Sequence, residues 1–308
     1  MAKEEIKNTI FEHEEFVAFS TQMDRLFKEW KTENTNKLKA LTKGFKPKKL
    51  ILTLSEHLLK QYDNKALIDK YDMYQHLMTY WFDAMQDDCY LVAQDEWKAE
   101  TYRILKPNSK KKMIDKGWDC ELVPKDLVTN RYFAAEKENI AALQAEKESI
   151  ASELTEMVEE HSSEEGFFAE MEKVNKATTT ARIKELKGET DVAEELKVLK
   201  QYIALLNKQT ATNKKIKTAE ADLDAKLYAK YPSLSETEIK QLVVDDKWMH
   251  SIETTIQDEI DHISQRLTNR IKELAERYES PLPLLDKKVD NLESKVTAHL
   301  QKMGFVWN

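Results

Sequence analysis

The chain has 308 residues, of which 34% are charged and 41% hydrophobic, with only 5 Gly and 6 Pro and a formal net charge of -8. That balance suits long solvated helices and argues against a sheet-rich fold, because sheets need turns and turns use Gly and Pro. The acidic excess argues against polyanion binding over the whole surface, although local basic patches stay open.

No apolar run approaches the ~18 residues needed to cross a bilayer. Residues 1–5 lack the basic region, apolar core and cleavage site of a signal peptide. Cys89 and Cys120 form neither a CxxC nor a staple framework, so a cytoplasmic, reducing setting is expected.

A first helix is predicted over residues 12–42, with Phe16, Phe19, Met23, Phe27 and Trp30 on one face. The stretch 44–47 ends it, since Pro47 lacks a backbone donor and disfavours helix just before it. A second helix over 48–60 carries Ile51, Leu54 and Leu58. Asp69 reads as the N-cap of a third, whose large side chains (Tyr74, Leu77, Met78, Trp81, Phe82 and Met85 among them) mark the packing centre of the N-terminal part.

Between residues 89 and 124 the grammar changes. Tyr90-Leu91-Val92, residues 101–105 and Cys120-Glu121-Leu122-Val123 read as three short antiparallel strands. The basic connector 106–112 reads as a loop. Pro124 and Asp126 then open a long helix.

From Phe133 the apolar positions recur at alternating steps of three and four: Phe133, Ile140, Leu143, Ile150, Leu154 and Met157, with Lys147 in one slot. A return run carries Leu199, Tyr202, Leu206, Asn213, Ile216, Leu223 and Leu227. Narrow seams of this kind, in a background of Glu and Lys, predict a coiled coil, here an antiparallel hairpin. Polar Gln209 and Asn213 on the return seam would fix register. Phe167, Phe168, Met171, Ile183 and Leu186 predict a compact tip, ended by Gly188; Ser162 and Glu165 have capping-box spacing there.

Tyr231-Pro232 stops the arm, and Ser235 with Glu238 makes the clearest capping box in the chain. A short helix to about residue 244 leads to a longer one carrying Trp248, Ile252, Ile256, Ile260 and Ile263, broken at 280–283. The last helix sets Leu285, Val289, Leu292, Val296, His299 and Met303 at strict four-three spacing. Its seam calls for a partner helix, internal or from another chain.

Motifs that carry chemistry are scarce. The five glycines stand alone and assemble no GxGxxG or phosphate loop, and no Asn-Pro-Pro step occurs. The seven histidines have no HExxH spacing. Of the adjacent acid pairs, Asp87-Asp88, Asp245-Asp246 and Glu159-Glu160, the first is the most interesting, because it stands where a helix was expected to give way to a strand. The basic cluster with Lys106, Lys110, Lys111, Lys112 and Lys116, close to Trp118, could track a phosphate backbone or simply be a solvated loop.

Several strings together resemble the C-terminal region of the modification (M) subunit of bacterial type I restriction-modification systems. They are Leu67-Ile68-Asp69-Lys70-Tyr71-Asp72-Met73-Tyr74-Gln75-His76-Leu77-Met78, Met85-Gln86-Asp87-Asp88-Cys89-Tyr90-Leu91 and Leu122-Val123-Pro124-Lys125. Arg131-Tyr132-Phe133-Ala134-Ala135-Glu136, Leu242-Val243-Val244-Asp245-Asp246-Lys247-Trp248 and Leu274-Ala275-Glu276-Arg277-Tyr278, before Pro281-Leu282-Pro283, continue the order along nearly the whole chain. The resemblance implies a DNA adenine methyltransferase component that uses S-adenosylmethionine when full length. The family's cofactor and Asn-Pro-Pro-aromatic motifs lie N-terminal to the matched region and are absent here. No catalytic, cofactor-binding or metal residue is therefore carried over, and this chain alone is expected to be inactive, as a C-terminal fragment or a separately encoded piece. The implied partners are the specificity subunit, the restriction subunit, and DNA through the assembled complex, with no membrane. The family's methyltransferase core has two M subunits and one specificity subunit, docked through helices.

The expected fold is mainly α, a helical bundle with a long antiparallel coiled-coil hairpin and a small three-stranded antiparallel β insertion. Its expected parts are residues 1–130, with the insertion at about 89–124, the arm at 131–231, and C-terminal helices at 232–308. The expected docking face is Leu285, Val289, Leu292, Val296 and Met303. Two other readings stay open: a stand-alone coiled-coil scaffold unrelated to methylation, and a nucleic-acid clamp built on the basic loop.

Overall fold

The computed structural model describes residues 5–107, 109, 111–163, 166–169, 171, 173–187, 192–278 and 282–305, with the backbone alone for 5–7. It is mainly helical and carries one small two-stranded antiparallel sheet. The chain divides into two compact units, Met1–Glu96 with Val244–Asn308, and Trp97–Val243. The sheet thus belongs with the arm and not with the N-terminal helices.

In the first unit, α2 (Glu14–Lys39) is the helix expected over 12–42, and a further helix, α1 (Glu5–Glu12), precedes it, with His13 extended between them and its ring accepting from the Glu15 amide. Pro47 opens α3 (Pro47–Gln61) at the first-turn position where its missing N–H costs nothing. Asp69 caps α4 (Lys70–Tyr80), accepting the Tyr71 amide at 2.9 Å. A π-helical turn, Trp81–Met85, then carries the chain straight into α5 (Gln86–Asp95). Tyr90-Leu91-Val92 is therefore helical and not a strand. A short apolar run cannot be told from a buried helix segment by periodicity alone, and packing against α3 decides this one. Cys89 and Val92 are buried, and Gly44 donates to the Ala93 carbonyl at 2.8 Å.

The core of this unit is assembled from Met23, Phe27 and Trp30 of α2, Leu54 and Leu58 of α3, Met73 and Leu77 of α4, and Trp248. The Trp30 indole donates to the Leu54 carbonyl at 3.4 Å, so its one polar atom is satisfied inside. Its closing helix, α11 (His250–Arg277), buries Ile252, Ile256, Ile260 and Ile263, each burial stabilising by about 2 kcal/mol before ordering entropy. The last helix, α12 (Leu282–Lys302), buries none of its residues.

In the second unit, β1 (Tyr102–Pro107) pairs with β2 (Met113–Asp119). The register slips between Arg103 and Leu105, placing Lys116 and Gly117 opposite Ile104 as a bulge. Gly117 takes φ +110°, a conformation open to glycine, and its amide donates to the Asp115 carboxylate at 2.9 Å. The sheet has two strands where three were expected. Residues 120–123 form no ladder; Cys120, Leu122 and Val123 are buried by tertiary contacts instead, and the Val123 carbonyl accepts from the Tyr231 hydroxyl at 2.7 Å.

Phe133, at φ -131° and ψ 31°, separates α6 (Lys125–Tyr132) from α7 (Ala134–Glu160). α7 packs along α9 (Ala193–Lys230), with Glu136 paired to Lys226 and Glu146 to Lys208, so partners on α9 fall in number as α7 rises. Lys147 is exposed; the neighbouring half-buried Glu146 takes the side facing α9. Beyond them Ile150, Leu154, Leu199 and Tyr202 meet Phe168 and Leu186 in a small core. Asn175 and Thr178 form a capping box on α8 (Lys176–Glu185), and Ser235 and Glu238 form the expected one on α10 (Glu236–Lys240). Gly188, Glu165 and residues 280–281 lie outside the described residues.

Between α10 and α11 runs a π-helical stretch, Gln241–Met249. Within it Val243, Val244, Trp248 and Met249 are buried.

Candidate functional site

α12 is built to stand by itself. Gly304, at φ +86°, ends it: the Gly304 amide donates to the Gln301 carbonyl and the Phe305 amide to the Leu300 carbonyl, at 3.1 and 3.0 Å. This crossed pair is a Schellman closure, which satisfies the last carbonyls without tertiary help. The expected seam is fully presented. Leu285, Val289, Leu292, Val296 and Met303 are 44%, 59%, 61%, 57% and 71% exposed.

The basic cluster runs over a β-hairpin, with part of the expected loop as its turn and the rest on its two strands. Lys106 is exposed on β1, Lys116 exposed at the bulge of β2, and Lys111 and Lys112 exposed at the turn, Lys111 with φ +57°. Lys110 lies outside the described residues. Trp118 takes no part in a stacking platform. It is 3% exposed, its ring set edge-on against Tyr228 and Tyr231 at 5.1 and 5.0 Å, with the Lys125 ammonium 3.8 Å from its centroid. Its indole donates to Asp224 at 3.0 Å, and Lys125 donates to the other oxygen at 2.8 Å. Burial pushes the Asp224 carboxyl up, but donation from Lys125 and Trp118 outweighs that and holds it below the ordinary range. Trp118 is thus the root that fastens the hairpin to α9, which spacing along the chain could not show.

The interior of the first unit holds a polar lock. Asp88 receives both oxygens' worth of donation, from the Lys247 ammonium at 2.7 and 2.8 Å and from the Trp248 indole at 2.7 Å. The Lys247 carbonyl accepts from Tyr80 at 3.2 Å and from Ser251 at 2.6 Å. Burial pushes the Asp88 carboxyl above its ordinary value, and Lys247 and Trp248 oppose that rise. Burial also pushes the Tyr80 phenol up to about 12 and the Cys89 thiol far above its usual value. A thiol so held is not a nucleophile near neutrality. Asp88 is a buried partner of Lys247, and Asp245 pairs with Lys39 at 2.6 Å.

Two depressions escaped the sequence reading because each is made by residues far apart in the chain. A cleft of about 540 Å³ between α2 and α11 is floored by Met23, Phe27 and Ile256 and crossed by the Lys31–Glu253 pair at 2.7 Å. An apolar groove of about 390 Å³ is lined by Ile10, Phe16, Phe19, Leu67, Leu267 and Ile271. Among the described residues, no group of three or more His, Cys, Asp and Glu is placed to hold a metal ion, and no helix is long and apolar enough to cross a membrane.

What these features define is a helical module that presents one narrow apolar seam and one basic hairpin. No protein-family model, curated protein or solved structure matches this chain.

Proposed function

We propose that this chain is the assembly and DNA-positioning region of a type I modification DNA adenine methyltransferase subunit, inactive alone and docking through helices to a specificity subunit. The observation that carries the reading is α12: a closed, amphipathic helix whose seam is exposed along its length, as a docking helix requires. The strings that carry the resemblance add to it. Asp88 of one such string holds Lys247 and Trp248 of another, so residues 159 and 160 positions apart in the chain cooperate in one buried lock. In this reading α7 and α9 form an antiparallel coiled-coil hairpin. Lys106, Lys111, Lys112 and Lys116 are DNA-backbone contacts made within the assembled complex, in the cytoplasm. S-adenosylmethionine is held by the catalytic region that the full-length subunit would supply, and restriction subunits join the assembly from outside.

The test is co-purification of this chain with a type I specificity subunit across a salt series. A helix-packed contact survives high salt, whereas phosphate contacts weaken steeply. Loss of the complex at low and high salt alike would leave the stand-alone scaffold as the better reading. Calorimetry with S-adenosylmethionine is expected to show no tight binding to this chain. Replacing the four hairpin lysines by Ala should flatten the salt dependence of DNA binding by the assembled complex.

A further inference from the structure

The seam of α12 says more than that a helix is wanted. We infer that, where no specificity subunit covers it, the seam pairs with that of a second copy of this chain, aligned parallel and in register as a two-stranded coiled coil; this rests on the reading of α12 as an association helix.

The residue choices carry the argument. Counting the strict four-three spacing as a heptad, Val289 and Val296 fall at the first core position, with Leu282 and Met303 at its ends. Leu285, Leu292 and His299 fall at the second. β-Branched residues at the first position and Leu at the second favour two parallel strands, because the branched side chain packs where the facing bond lies parallel and Leu fills the perpendicular layer.

The flanking charges choose the same arrangement. The residues just before each first core position are Lys288, Lys295 and Lys302, all basic, and the residues just after Leu285 and Leu292 are Asp286 and Glu293, both acidic. In a parallel pair the residue before a first core position faces, on its partner, the residue five places on, so that Lys295 meets Leu300 and Lys288 meets an acid. Lys288 of each copy then faces Glu293 of the other, twice by symmetry. In an antiparallel pair of the same helices, like faces like: lysines oppose lysines and acids oppose acids. A one-sided charge pattern of this kind rewards one orientation and penalises the other.

The protomer leaves this possible. None of the residues in α12 is buried, so the pairing face is not already in use, and the helix end is closed by its own backbone. The seam covers three heptads, near the short limit for such pairing. Association is therefore expected in the micromolar range.

The full chain, followed by light scattering and sedimentation from ~1 µM to ~1 mM, should pass from monomer to dimer. Leu292→Lys should abolish the dimer while leaving the thermal unfolding of the protomer unchanged, because Leu292 is 61% exposed there. Lys288→Glu should weaken the dimer at least tenfold, and adding Glu293→Lys should restore it. Val289→Cys should give a covalent dimer on mild oxidation, whereas Asn291→Cys, off the seam, should not; the native Cys89 and Cys120 are buried and give little background. A chain that stays monomeric throughout overturns the inference. So does a dimer that tolerates Leu292→Lys, or one whose Val289→Cys fails to cross-link. The wider reading fails separately: a specificity subunit still retained by the Leu292→Lys chain would place its docking surface elsewhere and leave the self-pairing of the unsubstituted chain standing. A monomeric chain that loses the specificity subunit on Leu292→Lys would keep α12 as its docking helix and sink only the self-pairing.

Discussion

α11 and α12 share a pattern and differ in fate. Both carry apolar residues at three- and four-residue steps, and both lie at the end of the first unit. Ile252, Ile256, Ile260 and Ile263 of α11 are buried, whereas α12 buries nothing. Width separates them. α11 also buries Ser264 and Thr268, each donating its hydroxyl to the carbonyl four residues back, so its inward stripe is broad enough to lie on several helices at once. The seam of α12 has two positions per heptad, a width that suits a single partner helix. Periodicity states that a face must be covered; the breadth of the face indicates what can cover it.

The largest expected effect lies in the lock behind α11. Asp88→Ala leaves the Lys247 ammonium and the Trp248 indole without their acceptor in the interior, and should destabilise the first unit by about 3–5 kcal/mol in urea unfolding. A loss under ~1 kcal/mol would mean that water reaches Lys247 and that the lock is not truly dry. Next comes the covered face itself. Ile256→Ala, at 2% exposure, should cost about 2–4 kcal/mol by the same measurement.

A local device should cost less. Glu238 accepts from the Ser235 amide, and from Lys230, the Ser235 hydroxyl and Tyr132, which together hold its carboxyl at about 2 against an ordinary 4.5. Because the folded value is the lower one, the stabilisation is complete above about 4.5 and is lost as the pH falls toward about 2. Glu238→Gln should therefore flatten the acid limb of the second unit's stability in that window and remove about 1 kcal/mol near neutrality, the usual size of a lost cap. An unchanged limb would place the titration on another carboxylate. The smallest effect belongs to the uncovered face. Leu292→Ala should change protomer stability by less than ~0.5 kcal/mol at concentrations too low for association. A cost comparable to that of Ile256→Ala would show α12 to be packed in the protomer after all.

The sequence alone determined the mainly helical class and the features that depend on a few neighbouring residues. Asp69 and Ser235 cap their helices, and Phe168 and Leu186 share a compact core, as spacing predicts. These are short-range effects, set by backbone donors and side chains within a turn of each other. The heptad of α12 and its flanking charges were equally legible, because a helix that ends in its own glycine closure needs no neighbour to define its faces.

Tertiary structure decided the rest. Tyr90-Leu91-Val92 is helical because α3 offers its face a place to bury, and the strand-like Cys120-Glu121-Leu122-Val123 pairs with nothing because its apolar side chains are satisfied elsewhere. The strand that pairs with Tyr102–Pro107 instead, Met113–Asp119, is too polar to announce itself and is anchored through Trp118 on Asp224, 106 residues along the chain. Asp88 stood out only as one of two adjacent acids; its partners lie 159 and 160 residues away. Local grammar carries no information about such distances, since burial and charge pairing are properties of what the fold brings together.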